Sequence, residues 1–207
     1  MKNWPVLFTE VIKIMLTVEE FKARLKDPKL TDLDIVRGYI THGNPYVFQD
    51  DEEKYFEIKK RIATKYDINP QEVLMVGSAK LGFSMSPMKL WKPFDEDSDI
   101  DMVIISANAF DATWKTLFDF NINLTARAGR EDKQYQRFLD YFFKGWLRPD
   151  VFPFTYLGKQ EWEEFFNSIS YGEFGNRKIT GAIFRSFDFY EHYQVINIKT
   201  IRAGGVL

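Results

Sequence analysis

Apolar positions recur at helical spacing through the first third of the chain and then give way to short continuous runs. Thr17-Val18-Glu19-Glu20 reads as a capping box, with Thr17 and Glu20 each satisfying a backbone N–H at a helix start. Phe21 and Leu25 give that helix an apolar face before Pro28 stops it. A second start at Thr31 runs through Leu33, Ile35, Val36 and Tyr39 to Gly43-Asn44-Pro45. Residues 50–66 predict a third helix, with Tyr55, Ile58, Ile62 and Tyr66 on one face, ended by Asn69-Pro70. The pattern then changes: Val73-Leu74-Met75-Val76 is a buried-strand run entering the turn Gly77-Ser78. A long loop carries Pro87, Pro93 and the acidic group Asp95, Glu96, Asp97, and a second strand spans 99–105. Helical spacing returns around 110–120 and 131–144, the latter ending at Gly145. Residues 146–154, with Pro149 and Pro153, fit no regular element. Residues 161–168 predict a helix, 178–185 a strand and 188–202 a closing helix. The class is α+β, a small mixed sheet flanked by N-terminal and C-terminal helices. Residues 1–70 form a helical segment packed on a core of 71–207, the two making one unit.

Composition narrows the chemistry. The 207 residues are 45% apolar, including 20 Phe, 10 Tyr and 5 Trp, which is ample for a core. Net charge is −2, so contact with nucleic acid or nucleotide must come from a local patch or bound metal, not a global field. No cysteine is present, which removes disulfides, thiolate metal sites and cysteine nucleophiles. Only His42 and His192 are available as imidazoles, leaving carboxylates as the main candidates. The stretch from Trp4 to Met15 is broken by Pro5, Glu10 and Lys13 and has neither the form of a secretory signal nor the length of a membrane span. The expectation is a soluble cytoplasmic protein without a membrane partner.

The informative segment is the strand ending in Gly77-Ser78, a loop, and Asp99-Ile100-Asp101 opening the next strand. Residues two apart on a strand share a side, so Asp99 and Asp101 present a joint oxygen face while Ile100 points to the core. Two close carboxylates repel, and a hard divalent cation such as magnesium relieves them, commonly with help from substrate phosphates. Glycine permits close backbone approach, and turn N–H groups with the Ser78 hydroxyl suit phosphate oxygens. This arrangement resembles the signature of the DNA polymerase beta-like nucleotidyltransferase superfamily, most of all its small prokaryotic members. The resemblance covers about residues 73–105, with residues 84–97 looking inserted.

What the resemblance implies is a nucleotidyltransferase fold in which Gly77 and Ser78 bind the triphosphate of an NTP or dNTP, ATP among them. Asp99 and Asp101 would hold two Mg2+ ions, with Mn2+ as the alternative. A nucleoside monophosphate would pass to a hydroxyl on protein, RNA or nucleotide with release of pyrophosphate. A third carboxylate comes from a later strand in that superfamily; Asp150 in Arg148-Pro149-Asp150 is the candidate, ahead of Asp119 and Asp140. Roles in toxin–antitoxin or antiviral defence follow by analogy alone, as do a homo-oligomer or a cognate partner protein.

Plainer readings stand beside each of these. Asp95, Glu96 and Asp97 read as a solvated acidic loop, and a calcium-binding loop fails because Ile100 and Ser106 fall where glycine and glutamate belong. Sugar-nucleotide glycosyltransferases place the apolar strand before their Asp-x-Asp pair, whereas here it follows. Gly77-Ser78 is no Walker A loop. Lys80 is a further candidate for phosphate contact, against a solvated turn lysine. Arg127, Arg130, Arg137 and Arg148 read as a substrate path or as a solvated helix face. His192, and the stripe Phe142, Phe143 and Trp146, read as packing. The alternative function is a non-catalytic nucleotide-binding or partner-binding subunit that keeps the fold.

Overall fold

A four-stranded mixed sheet in the order β1-β2-β4-β3 carries the molecule. The strands are β1 (Val73–Val76), β2 (Ile100–Ile105), β3 (Trp146–Leu147) and β4 (Ile179–Phe184). β1 and β2 are antiparallel, β2 and β4 parallel, and β3 joins β4 antiparallel as a two-residue edge. The computed structural model describes residues 16–123 and 129–205. The readings of Trp4–Met15 and of Arg127 lie outside these.

Alternation along the strands divides the core in two. Val73, Met75, Ile100, Met102, Ile104, Leu147, Ile179 and Ile183 face one side, against α3 (Glu52–Tyr66), α5 (Ala107–Ile122), α6 (Gly129–Phe143) and α7 (Leu157–Ile169). Leu74, Val103, Ile105, Trp146 and Phe184 face the other, against Phe189, Tyr190 and Tyr193 of α8 (Phe187–Ala203). By the same parity Asp101 and Thr180 lie on the α8 side. The far end of α8 uses Ile198 and Ile201 in a separate cluster with Phe21, Leu25, Ile35, Val36 and Ile40 from the N-terminal helices. One helix thus covers the sheet with its first half and holds the N-terminal segment with its second.

Local signals explain most boundaries. The Thr17–Glu20 capping box is formed and starts α1 (Val18–Lys26). Thr31 and Asp34 make a second box at α2 (Asp32–Ile35), which widens at once into a π-helix over Val36–Thr41. Gly77-Ser78, expected as a turn, opens a five-residue helix α4 (Gly77–Leu81). The unassigned residues 146–154 contain β3 and a 3-10 turn at Pro149–Val151, where short length and two prolines hide the pattern from a periodicity reading. Two packing expectations fail. Phe142 stacks on Phe110 and Trp146 is buried, but Phe143 is 89% exposed. His192 is exposed beside Asp188, with no packing role.

β4 and α7 meet at Gly181, where an added Cβ would fall 2.3 Å from the Phe166 ring and 2.9 Å from Trp162. Gly181→Ala is therefore expected to destabilise the fold by about 1–3 kcal/mol through overpacking, read as a lower urea midpoint with unchanged slope.

Candidate functional site

The β1–β2 register decides the site. Val76 pairs with Asp101, so the residue that follows, Gly77, is set against the Asp101 carboxylate. Gly77 has φ +67°, a left-handed conformation that suits glycine, and a Cβ there would stand 3.2 Å from Asp101 Oδ2. Ser78 follows in the first turn of α4, where backbone N–H groups have no intrahelical partners. These residues line a cleft of about 540 Å³ together with Asp99, Ser84, Lys89, Lys92 and, from α8, Tyr193, Gln194 and Asn197.

The loop after α4 is a built wall. Phe83 bridges Pro93, Ser84 N donates to Lys92 O at 2.9 Å, and Trp91 N donates to Ser84 O at 2.8 Å. At its root the rings of Phe83 and Trp91 lie 5.5 and 6.3 Å from Phe21, which ties the wall to α1. The acidic group beyond it is not simply solvated. Lys92 pairs with Asp95 at 2.6 Å and Ser98 Oγ donates to it at 2.7 Å, which holds the Asp95 carboxyl down to about 2. Arg177 donates to the carbonyls of Asp95 and Ser98 and lies 4.5 Å from the Phe94 ring. The turn immediately before Asp99 is thereby clamped, while Glu96 and Asp97 remain exposed as a plain acidic loop would have them.

Asp99 precedes the strand and is exposed; Asp101 lies within it and is half-buried. Burial raises the Asp101 pKa above the ordinary aspartate value, and the Asp99 charge raises it further. Thr180 Oγ1 donates to Asp101 Oδ1 at 2.7 Å and, with Arg148 and Lys178, opposes that rise. The two carboxylates thus share one cleft within electrostatic reach of each other.

The later strand does not bring a carboxylate to them. The residue paired with Asp101 on β4 is Thr180. Asp150 lies off the sheet in the 3-10 turn and forms a two-bond pair with Arg148, at 2.7 and 3.2 Å. Burial works against the charge on Arg148, yet Asp150, Asp101 and Asp99 outweigh it and raise its pKa. Arg148 therefore stands electrostatically between the aspartate pair and Asp150. Asp119 pairs with Lys115 on α5, and Asp140 is exposed on α6. Lys80 also lies elsewhere: it is 3% exposed and its Nζ donates to the carbonyls of His42, Gly43 and Asn44, so it secures the end of the π-helix and does not line the cleft.

The oxygen-only donor set suits a hard ion held by one or two carboxylates and completed by substrate phosphates. Among the described residues no group of three or more His, Asp or Glu is placed to hold a metal. Comparison of the chain with protein-family models, with curated proteins and with solved structures finds no match.

Thr180, Tyr193, Gln194 and Asn197 were not foreseen as site residues. The period of β4 could have marked Thr180 as sharing a face with Ala182 and Phe184, but the pairing register that sets it beside Asp101 is not written in either strand. Tyr193, Gln194 and Asn197 sit in a helix that carries polar residues along its whole length, so nothing local set them apart.

Three substitutions test this geometry. Gly77→Ala should cost about 1–2 kcal/mol from the left-handed backbone and weaken any ligand of the Asp101 carboxylate, measured by thermal melts with and without Mg2+. Because folding raises the Asp101 pKa, its favourable contribution is full below the unfolded value and lost as pH rises through the folded one. Asp101→Asn should therefore melt higher than the unsubstituted chain at about pH 7, an advantage that shrinks towards about pH 4, near the unfolded aspartate value. In Thr180→Val the Asp101 titration followed by carboxyl NMR should move to still higher pH.

Proposed function

We propose that the chain is a magnesium-dependent nucleotidyltransferase of the DNA polymerase beta-like kind, moving a nucleoside monophosphate from an NTP or dNTP to a hydroxyl acceptor. The observation that carries this is the approach of the Gly77 turn to the Asp101 carboxylate, close enough that an added Cβ would stand 3.2 Å from Oδ2, inside a cleft that also holds Ser78 and Asp99. A phosphate-gripping turn and an ion-binding carboxylate are useful together only if one ligand spans both, and a nucleoside triphosphate does so.

In this reading the Gly77-Ser78 backbone and the Ser78 hydroxyl orient the phosphates. Lys89 and Lys92 add positive charge from the loop wall, although Lys92 shares its charge with Asp95. Asp99 and Asp101 would hold the ion, which when bound neutralises charge developing on the phosphates. Thr180 keeps Asp101 oriented through its 2.7 Å bond. The acceptor oxygen attacks the α-phosphorus, the bond from that phosphorus to the pyrophosphate oxygen breaks, and the acceptor proton leaves to water at the open mouth beside Asp99. The acceptor class is protein, RNA or nucleotide, and a place in toxin–antitoxin or antiviral systems belongs to the same proposal.

One observation favours a second reading, a nucleotide-binding subunit without turnover. Thr180 occupies the position on β4 facing Asp101, and Asp150 is engaged by Arg148. Incubation with each labelled NTP and dNTP plus Mg2+ separates the two by pyrophosphate release. Asp99→Asn and Asp101→Asn are each expected to lower turnover by at least about tenfold, as loss of groups around a metal does, with circular dichroism unchanged. Release at the unsubstituted rate in either variant would overturn the catalytic reading, and nucleotide binding without release from the unsubstituted chain would establish the second.

A further inference from the structure

A second cleft of about 400 Å³ lies between α6 and the segment from Trp146 to Pro153. Its wall holds three cations, Arg137, Arg148 and Lys159, against a single carboxylate, Asp150. That is a local positive surface on a chain whose net charge is −2. The cations are held in place by their own contacts. Arg137 Nε donates to the Tyr141 hydroxyl at 2.9 Å, and the guanidinium lies over the Tyr141 ring at 5.6 Å from its centroid. Lys159 Nζ donates to Phe152 O at 2.8 Å, which uses one of its three protons. Tyr141 and Trp146 line the cleft with their rings stacked on each other, centroids 4.3 Å apart.

We infer that this cleft is a second ligand site, for a phosphomonoester the size of a single nucleotide. The volume lies in the range of small-ligand sites. Guanidinium and ammonium groups converging from separate elements suit a phosphate, which offers oxygens to each. Arg148 connects the two sites: it lines this cleft and also the space beside Asp101 and Thr180. A ligand seated here, with its phosphate on Arg137 and Lys159, approaches the aspartate pair past Arg148. Its role as the acceptor, which would make the acceptor a nucleotide or the end of a nucleic-acid strand, rests on the nucleotidyltransferase reading. The ligand chemistry of the cleft does not.

Calorimetric titration without divalent ions tests this with AMP, inorganic phosphate and adenosine. AMP is expected to bind, phosphate to compete with it, and adenosine to bind at least about tenfold more weakly, since loss of one charge-assisted contact is worth that much. Arg137→Gln and Lys159→Gln should each weaken AMP at least about tenfold while the far-ultraviolet circular dichroism stays unchanged. Asp101→Asn should leave AMP affinity as it is, so a failed nucleotidyltransferase assignment and a failed second site give different results. Equal affinity for AMP and adenosine, or unchanged AMP affinity in both cation variants, overturns the inference. A 5′-phosphorylated tetraribonucleotide that displaces AMP identifies a strand end as the source of the phosphate, and one that does not identifies the free nucleotide; either sustains the site.

Discussion

A carboxylate on the wrong side of a sheet is the constraint around which the molecule is arranged. β2 alternates so that Ile100, Met102 and Ile104 enter one core, which leaves Asp101 on the face that Val103 and Ile105 share with α8. A charge there loses water, and the surroundings answer it in three ways. Thr180 supplies a hydrogen bond from the neighbouring strand, Arg148 and Lys178 supply positive charge, and the cleft leaves one side open. The open side is the one met by Gly77, whose missing side chain makes room for the second carboxylate oxygen. Tolerating a buried charge in this partial manner costs stability, and such a cost is common where a group is kept for binding or chemistry.

The surrounding loops read as supports for that arrangement. Arg177 fastens the carbonyls of the Asp95–Ser98 turn, and Ser98 and Lys92 fasten the Asp95 side chain, so the backbone arrives at Asp99 already ordered. On the opposite flank, the wall over residues 84–93 closes on itself through main-chain bonds and roots in the Phe21 cluster. Both flanks are held by contacts distant in sequence, which is how a short strand pair and a five-residue helix can frame a cleft.

Much of the fold was legible in the chain because its signals are local. Thr17 with Glu20, Thr31, and Asn69-Pro70 mark boundaries through capping chemistry, and each works within four residues. The apolar runs at β1 and β2 could be read for the same reason. Legibility ends where a residue's role depends on register or on a distant partner. Lys80 beside Ser78 read as a phosphate ligand or as a solvated turn lysine, but it is buried and three carbonyls from residues 42–44 claim it. Asp150 looked like a strand carboxylate, but the prolines that made a strand doubtful place it in a turn, where Arg148 holds it. Thr180 carried no signal of its own, since its importance comes from the parallel pairing of β2 with β4.

α8 has a consequence beyond packing. Its first turns roof the sheet through Phe189, Tyr190 and Tyr193, its last turns hold α1 and α2 through Ile198 and Ile201, and the polar stretch between them borders the cleft. The first two helices and the edge of the aspartate cleft therefore share one continuous support.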